Sequence, residues 1–240
     1  MFAQKRLIPR LTFAVALILL VGCVSQDHPV APLSADQPDL KALLEAPAMI
    51  DWPSAVVRAG YPWPDSPDQV IANVRDAYDD EDVAGYASMV SPGFRFVLQA
   101  ETIEEYDLPR RPLGANDEIR IAYKMCMGLP SQDGERLTDI EVVRMEPLTL
   151  WEPVPASDPN FGALVDAERR RYDVLMTFAR EGHDNPYTVE GEVLLVVVPQ
   201  TVATNHESRI AYRLMGGYDE TEREDGTDEI LWGSLKVMFH

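Results

Sequence analysis

Cysteine is scarce in this 240-residue chain, with two, and histidine nearly so, with four. Lys and Arg number 21 against 40 Asp and Glu, for a formal net charge of −19. Each shortage excludes something. The acidic excess repels phosphate backbones, so no nucleic-acid partner is expected. It repels anionic headgroups too, so surface charge will not hold the chain at a membrane. His28, His183 and His240 fall in irregular segments or at the terminus, and His206 just before a strand, so none is placed as a base inside a core. There is no glycine-rich phosphate loop, no nucleophile elbow and no cysteine ligand pair, so no cofactor and no metal is expected. The apolar run from Leu11 to Val21 falls short of the roughly 20 residues that span a bilayer.

What is present begins with that run. Lys5, Arg6 and Arg10 precede it, and Leu20-Val21-Gly22-Cys23 closes it. A basic start, a short apolar core and a small residue before cysteine form an export signal, and this version resembles a bacterial lipobox. The resemblance implies cleavage before Cys23, a diacylglycerol on its sulfur and an acyl group on its new amine. Cys23 is thus the lipid-attachment residue, residues 1–22 the signal peptide, and the protein an envelope lipoprotein with its body in the periplasm or outside. Val24 after the cysteine, in place of Asp, resembles outer-membrane sorting in enteric bacteria. Losing three basic residues lowers the formal charge to about −22, a balance that favours solubility. With Cys23 acylated, Cys126 has no disulfide partner, and its apolar helical setting predicts a buried, inert thiol.

Residues 23–65 read as a Pro-rich tether, broken by Pro29, Pro32, Pro38, Pro47, Pro53, Pro62 and Pro64, with one short helix over Asp39–Glu45. Trp52, Tyr61 and Trp63 are expected to dock on the body as a strap. Residues 66–240 form one domain. Ser66-Pro67 starts a helix with Val70, Ile71, Val74, Ala77 and Tyr78 on one stripe. Asp82 caps a second helix with Val83, Tyr86, Ala87 and Val90 inward, ending at Ser91-Pro92-Gly93. A strand follows over Phe94–Leu98. Asn116 starts a third helix, with Asp117 and Glu118 complementing its positive end and Ile119, Ala122, Tyr123 and Cys126 on its apolar face. Strands are predicted at Leu137–Trp151, Arg169–Ala179, Tyr187–Val198, Arg209–Tyr218 and Glu229–Phe239, with Glu181–Pro186 as a hairpin-like turn. Asp79-Asp80-Glu81-Asp82 reads as a solvated turn, and Arg169-Arg170-Arg171 as a cluster paired with surface acids. Helices first and antiparallel strands afterwards give an α+β class.

The order helix, helix, short strand, helix, long strands, with Ala77–Tyr86 followed by Pro92-Gly93-Phe94-Arg95-Phe96, resembles the nuclear-transport-factor-2-like superfamily, also called the cone or SnoaL-like fold. Trp232-Gly233-Ser234-Leu235-Lys236 looks like the last strand of bacterial lipoproteins carrying this domain. The resemblance implies three N-terminal helices packed on a curved, mostly antiparallel sheet, with a pocket between them. Isomerase relatives place a tyrosine on the first helix and a carboxylate at the end of the first strand. Registered on Asp82, those positions hold Val74 and Leu98, which neither donate nor accept protons. No catalytic residue is therefore assigned. Tyr78, Phe96, Glu101, Tyr123 and Tyr212 are the candidate pocket-lining residues. The expected function is a non-catalytic module that binds a small apolar ligand or an envelope protein, or pairs as a homodimer through the sheet. The alternative is a small-molecule isomerase or dehydratase using polar groups inside the cone.

Overall fold

A computed structural model of the full chain describes residues 60–203, 207–220 and 231–240. The expected export signal with Cys23, the expected helix over residues 39–45, Trp52, His28 and His206 lie outside the described residues.

Helix α1 spans Pro67–Asp79, and Ser66 Oγ accepts from the Gln69 N–H at 3.2 Å. Proline at its first position costs no hydrogen bond, because that N–H has no helical partner. Its buried stripe is the expected one, Val70, Ile71, Val74, Ala77 and Tyr78. Helix α2, Val83–Met89, is capped by Asp82, which accepts from the Gly85 N–H at 3.0 Å. Strand β1 runs Val90–Val97, so Val90 through Gly93 are extended rather than the tail of α2. Pro92 cannot donate to a helix or to a central ladder, and it sits where the pairing of β1 skips between Val90 and Arg95. Helix α3, Ala100–Glu105, is an element the sequence pattern missed.

Strand β2 is Leu113–Gly114, and helix α4 spans Ala115–Cys126. Gly114 rather than Asn116 is the N-cap, and its N–H donates back to Asp117 Oδ2 at 3.1 Å. The remaining strands are β3 Leu137–Pro147, β4 Glu152–Pro153, β5 Glu168–Arg180, β6 Tyr187–Ala203 and β7 Ser208–Asp219. The predicted strand over Glu229–Phe239 is instead a helix, α5, Trp232–Met238. Leu231, Leu235 and Phe239 recur at helical spacing and are all buried, a pattern that outweighs a strand reading.

The class is α+β, with a curved, mostly antiparallel sheet. Strand order is β2-β1-β7-β6-β5-β3, with β4 paired to β5 and only β1–β7 parallel. Gly216 makes that parallel contact close: its φ is +132°, and a Cβ there would lie 1.8 Å from the Arg95 carbonyl oxygen. The helices cover one face over the main core, where Phe96, Tyr172, Val174, Met176, Phe178, Val193, Leu195 and Val197 point inward. On the other face, Val196, Val198 and Met215 lie under Phe161 and Ala167, from the segment between β4 and β5.

The strap and the acidic turn both have structural work. Trp63 donates to the Ile210 carbonyl at 2.8 Å, and Arg209 lies over its ring at 4.7 Å. Tyr61 donates to Asp80, and the Tyr212 N–H donates to the Pro64 carbonyl. In the acidic turn, Asp79 accepts from the Val142 N–H at 3.0 Å and Glu81 from that of Ile140 at 3.2 Å. Two carboxylates thus cap the outer edge of β3, which would otherwise offer bare donors to another strand. Arg169, Arg170 and Arg171 pair with Glu152, Asp68 and Glu220.

Candidate functional site

A chamber of about 50 Å³ lies between α1, α2, α4, α5 and the sheet. Its walls are mostly apolar, with Val74, Phe94, Phe96, Val174, Met176 and Leu214 among them. Four buried polar side chains from the helices meet there, Tyr78 from α1, Tyr86 from α2, Glu118 from α4 and Lys236 from α5, while the exposed Glu192 of β6 also borders the chamber. Each of the four comes from a different helix, so the cluster exists only when all four helices are docked.

Glu118 is the hub. Its Oε1 accepts from the Tyr86 hydroxyl at 2.6 Å, from the Tyr78 hydroxyl at 3.3 Å and from Lys236 Nζ. Its Oε2 is buried and has no hydrogen-bond partner among the described residues. A buried carboxylate oxygen without a donor is costly, and it marks a place for one. Glu118 and Lys236 are each 1% exposed. The Lys236 amine also lies 4.8 Å from the Phe96 ring centre and 4.6 Å from that of Trp232, one helical turn back on α5.

Burial governs the electrostatics. It lowers the Lys236 pKa, opposed by the charges of Glu118 and Asp219. It raises both tyrosine pKa values well above the ordinary one, reinforced by the Glu118 charge, so both hydroxyls stay protonated donors. The rings are packed too, with Tyr78 and Tyr86 4.7 Å apart and Trp232 stacked on Phe178 at 6.0 Å. Asp219, at the end of β7, accepts from the Gly233 N–H at 2.7 Å and so anchors α5 over the chamber. The cluster thus gathers three donors on one oxygen of Glu118 and leaves its other oxygen, buried, without one among the described residues.

Of the residues singled out from the sequence, Tyr78 and Phe96 line the chamber. Glu101 is exposed on α3, away from the chamber. Tyr123 packs half-buried against the main core without reaching the chamber, and Tyr212, on β7, lies beside Glu168. Val74 is a chamber wall, and Leu98 is buried. Glu118, Lys236 and the hydroxyl role of Tyr86 were missed. Two signals pointed to them. Glu118, Ala122 and Met125 follow the spacing of the buried face of α4, and Lys236 is the sole charge in Leu231–Phe239. A charge inside an apolar stripe must find a partner when that stripe is buried.

Cys126 is half-buried, and burial together with Glu81 and Asp82 pushes its thiol up to about 12, a neutral and unreactive state. Among the described residues no group of three His, Cys, Asp or Glu side chains is placed to hold a metal. A wider hollow of about 440 Å³ lies at β1 and β2, where Arg95 and Arg111 face it. Arg95 donates to the Asn160 carbonyl and Arg111 to Asp117.

No family model matches the sequence, and no curated protein is similar to it. Among solved structures, the chain is similar to a conserved protein from Planctomyces limnophilus, at 9% identity over 63% of this chain and 89% of that one, with a TM-score of 0.40. It is similar to an NTF2-like protein of unknown function in nutrient uptake from Rhodospirillum rubrum, at 10% identity over 64% and 96%, TM-score 0.38. It is also similar to ActVI-ORFA from Streptomyces coelicolor, at 12% identity over 62% and 89%, TM-score 0.31.

Proposed function

We propose that this chain is a lipid-anchored envelope protein whose NTF2-like domain is a non-catalytic binding module, with the chamber as a small-ligand site. The observation that carries the ligand reading is Glu118, which lines a mostly apolar chamber and keeps one buried oxygen, Oε2, without a donor among the described residues. Three donors already crowd Oε1, so the guest must bring its own. The size of the chamber sets the size of the guest. Drug-sized ligands occupy roughly 300–1,000 Å³, whereas about 50 Å³ accommodates a water pair or a molecule of two to four heavy atoms at about 30 Å³ per water. Acetamide is a suitable probe, with one amide donor and one methyl group. Titration should shift the Trp232 indole resonance saturably with a millimolar dissociation constant, as befits so few atoms, and Glu118→Gln should weaken it. No saturable shift at Trp232 would overturn the ligand reading.

The anchor is tested separately. Wild-type protein should fractionate with membranes and Cys23→Ser should be released; a soluble wild type ends that part of the proposal. A homodimer through the sheet would have to form around Phe161 and its segment, which already cover the middle of the outer face. The second reading, an isomerase or dehydratase, is favoured by the convergence of two tyrosines, a carboxylate and an amine. Against it, the donors are spent on Glu118 and the chamber is small for a ring substrate.

A further inference from the structure

The amine of Lys236 has no evident reason to be where it is. Apolar residues in place of both Lys236 and Glu118 would fill the same space without the cost of burying two charges. Its surroundings have three properties together. The amine faces a chamber large enough for a few atoms. It touches a carboxylate that can take its proton. That carboxylate belongs to a residue lining the chamber and keeps a second, buried oxygen without a donor among the described residues.

We infer that Lys236 is a carbonyl-capturing amine: the chamber admits a small neutral aldehyde and holds it as a reversible imine on Nζ, with Glu118 as the proton shuttle. This rests on the reading of the chamber as a ligand site and names the class of ligand. The steps balance without oxidant or reductant. Glu118 takes a proton from the Lys236 ammonium, freeing the Nζ lone pair. That pair forms a C–N bond to the carbonyl carbon, and the nitrogen's proton passes to the oxygen, giving a carbinolamine. Its hydroxyl lies where Glu118 Oε2 lacks a donor. Glu118 then returns its proton to the hydroxyl, which leaves as water while the C=N bond forms. The product is a protonated imine, and one cation again stands beside the Glu118 carboxylate. The charge balance of the buried pair is thus the same before and after capture.

The same geometry sets specificity. Small volume restricts the guest to short aldehydes. A keto acid would bring a second anion beside Glu118 with a single cation between them, which a buried site does not tolerate. Tyr78 and Tyr86 hold Glu118 in place through their hydroxyls, and Asp219 fixes the start of the helix that carries Lys236. The depressed pKa of Lys236 works in the same direction, since it raises the share of neutral amine.

Lysine is rare enough for a clean test, because the four in the chain are Lys5, Lys41, Lys124 and Lys236. Folded protein without its signal would be treated at pH 7 with acetaldehyde at one equivalent and cyanoborohydride, then mapped by mass spectrometry. The ethyl group should accumulate on Lys236 well above Lys124 and Lys41; burial lowers the Lys124 pKa as well, so the excess reads the chamber and Glu118 rather than basicity alone. Pyruvate should leave Lys236 unlabelled. Denaturation before labelling should erase the preference. Lys236→Arg keeps a cation for Glu118 and should fold, with no labelled residue in the chamber. Glu118→Gln should slow capture at Lys236 while Lys124 is unaffected. Labelling of Lys236 equal to or below that of Lys124 and Lys41 overturns the proposal. An acetamide shift at Trp232 with no adduct on Lys236 would leave the ligand site standing and remove the imine alone.

Discussion

The two faces of the sheet are covered in opposite ways. On one side, helices bring Tyr78, Tyr86, Glu118 and Lys236 into a sealed ionic cluster. On the other, an irregular segment lays Phe161 over Val196, Val198 and Met215. That segment is also held by a carboxylate, since Asp158 Oδ1 accepts from the Tyr218 hydroxyl at 2.7 Å and from the N–H groups of Asn160 and Phe161 at 2.9 Å each. Three donors to one carboxylate oxygen therefore occur twice, with different consequences. Asp158 sits near solvent and serves a turn whose backbone would otherwise lack partners. Glu118 sits in the core, brings a cation with it, and leaves one oxygen unserved. The outer cluster is accounted for by folding alone, and the inner one is not.

The largest effect should come from splitting the inner pair. Lys236→Ala leaves Glu118 buried and uncompensated, and should cost about 3–5 kcal/mol in denaturant unfolding. Replacing both partners, Glu118→Leu with Lys236→Met, should restore most or all of that loss, because the burial of both charges is relieved together. A double variant as unstable as the single one would show that the pair is a structural keystone and would break the contrast with the outer face.

Next is the outer plug. Phe161 is fully buried, and Phe161→Ala should cost about 3 kcal/mol by loss of burial and creation of a cavity. The chamber lies across the sheet, so the acetamide shift at Trp232 should persist in this variant. Loss of that shift would mean that the two faces are coupled.

The smallest effect concerns pH. Burial opposes ionisation of Asp158, but the Tyr218 hydroxyl and the two backbone donors outweigh it and hold its pKa below the ordinary value. A depressed folded pKa stabilises above the unfolded value, and that contribution is lost as pH falls through the folded one. Tyr218→Phe should therefore cost about 1 kcal/mol at neutral pH, and the difference from wild type should shrink in acid. A difference that stays constant down to the acid transition would rule out this linkage.

Much of the fold was legible in local chemistry. Ser66-Pro67 and Asp82 start helices because they satisfy or avoid the orphan donors of a first turn, which needs no knowledge of the rest of the chain. The long strands β5, β6 and β7 were legible from their extended apolar runs. The C-terminal segment was not, because Trp232, Leu235, Val237 and Phe239 fit both periods in part, and the docking of Leu231, Leu235 and Phe239 into the core as one helical face decided for helix. The acidic turn failed for a related reason. Its sequence says solvated, but β3 passes beside it, and Asp79 and Glu81 spend their oxygens on that edge.

The sequence alone determined the acidic balance, the α+β class and the starts of the first two helices, because each follows from composition or from neighbours within a few residues. Tertiary structure decided which charges are inside. Glu118 and Lys236 are 118 residues apart, and nothing local to either says that they meet. Their pairing follows from where four helices dock on one sheet, and the burial that lowers the Lys236 pKa exists only once that docking is complete.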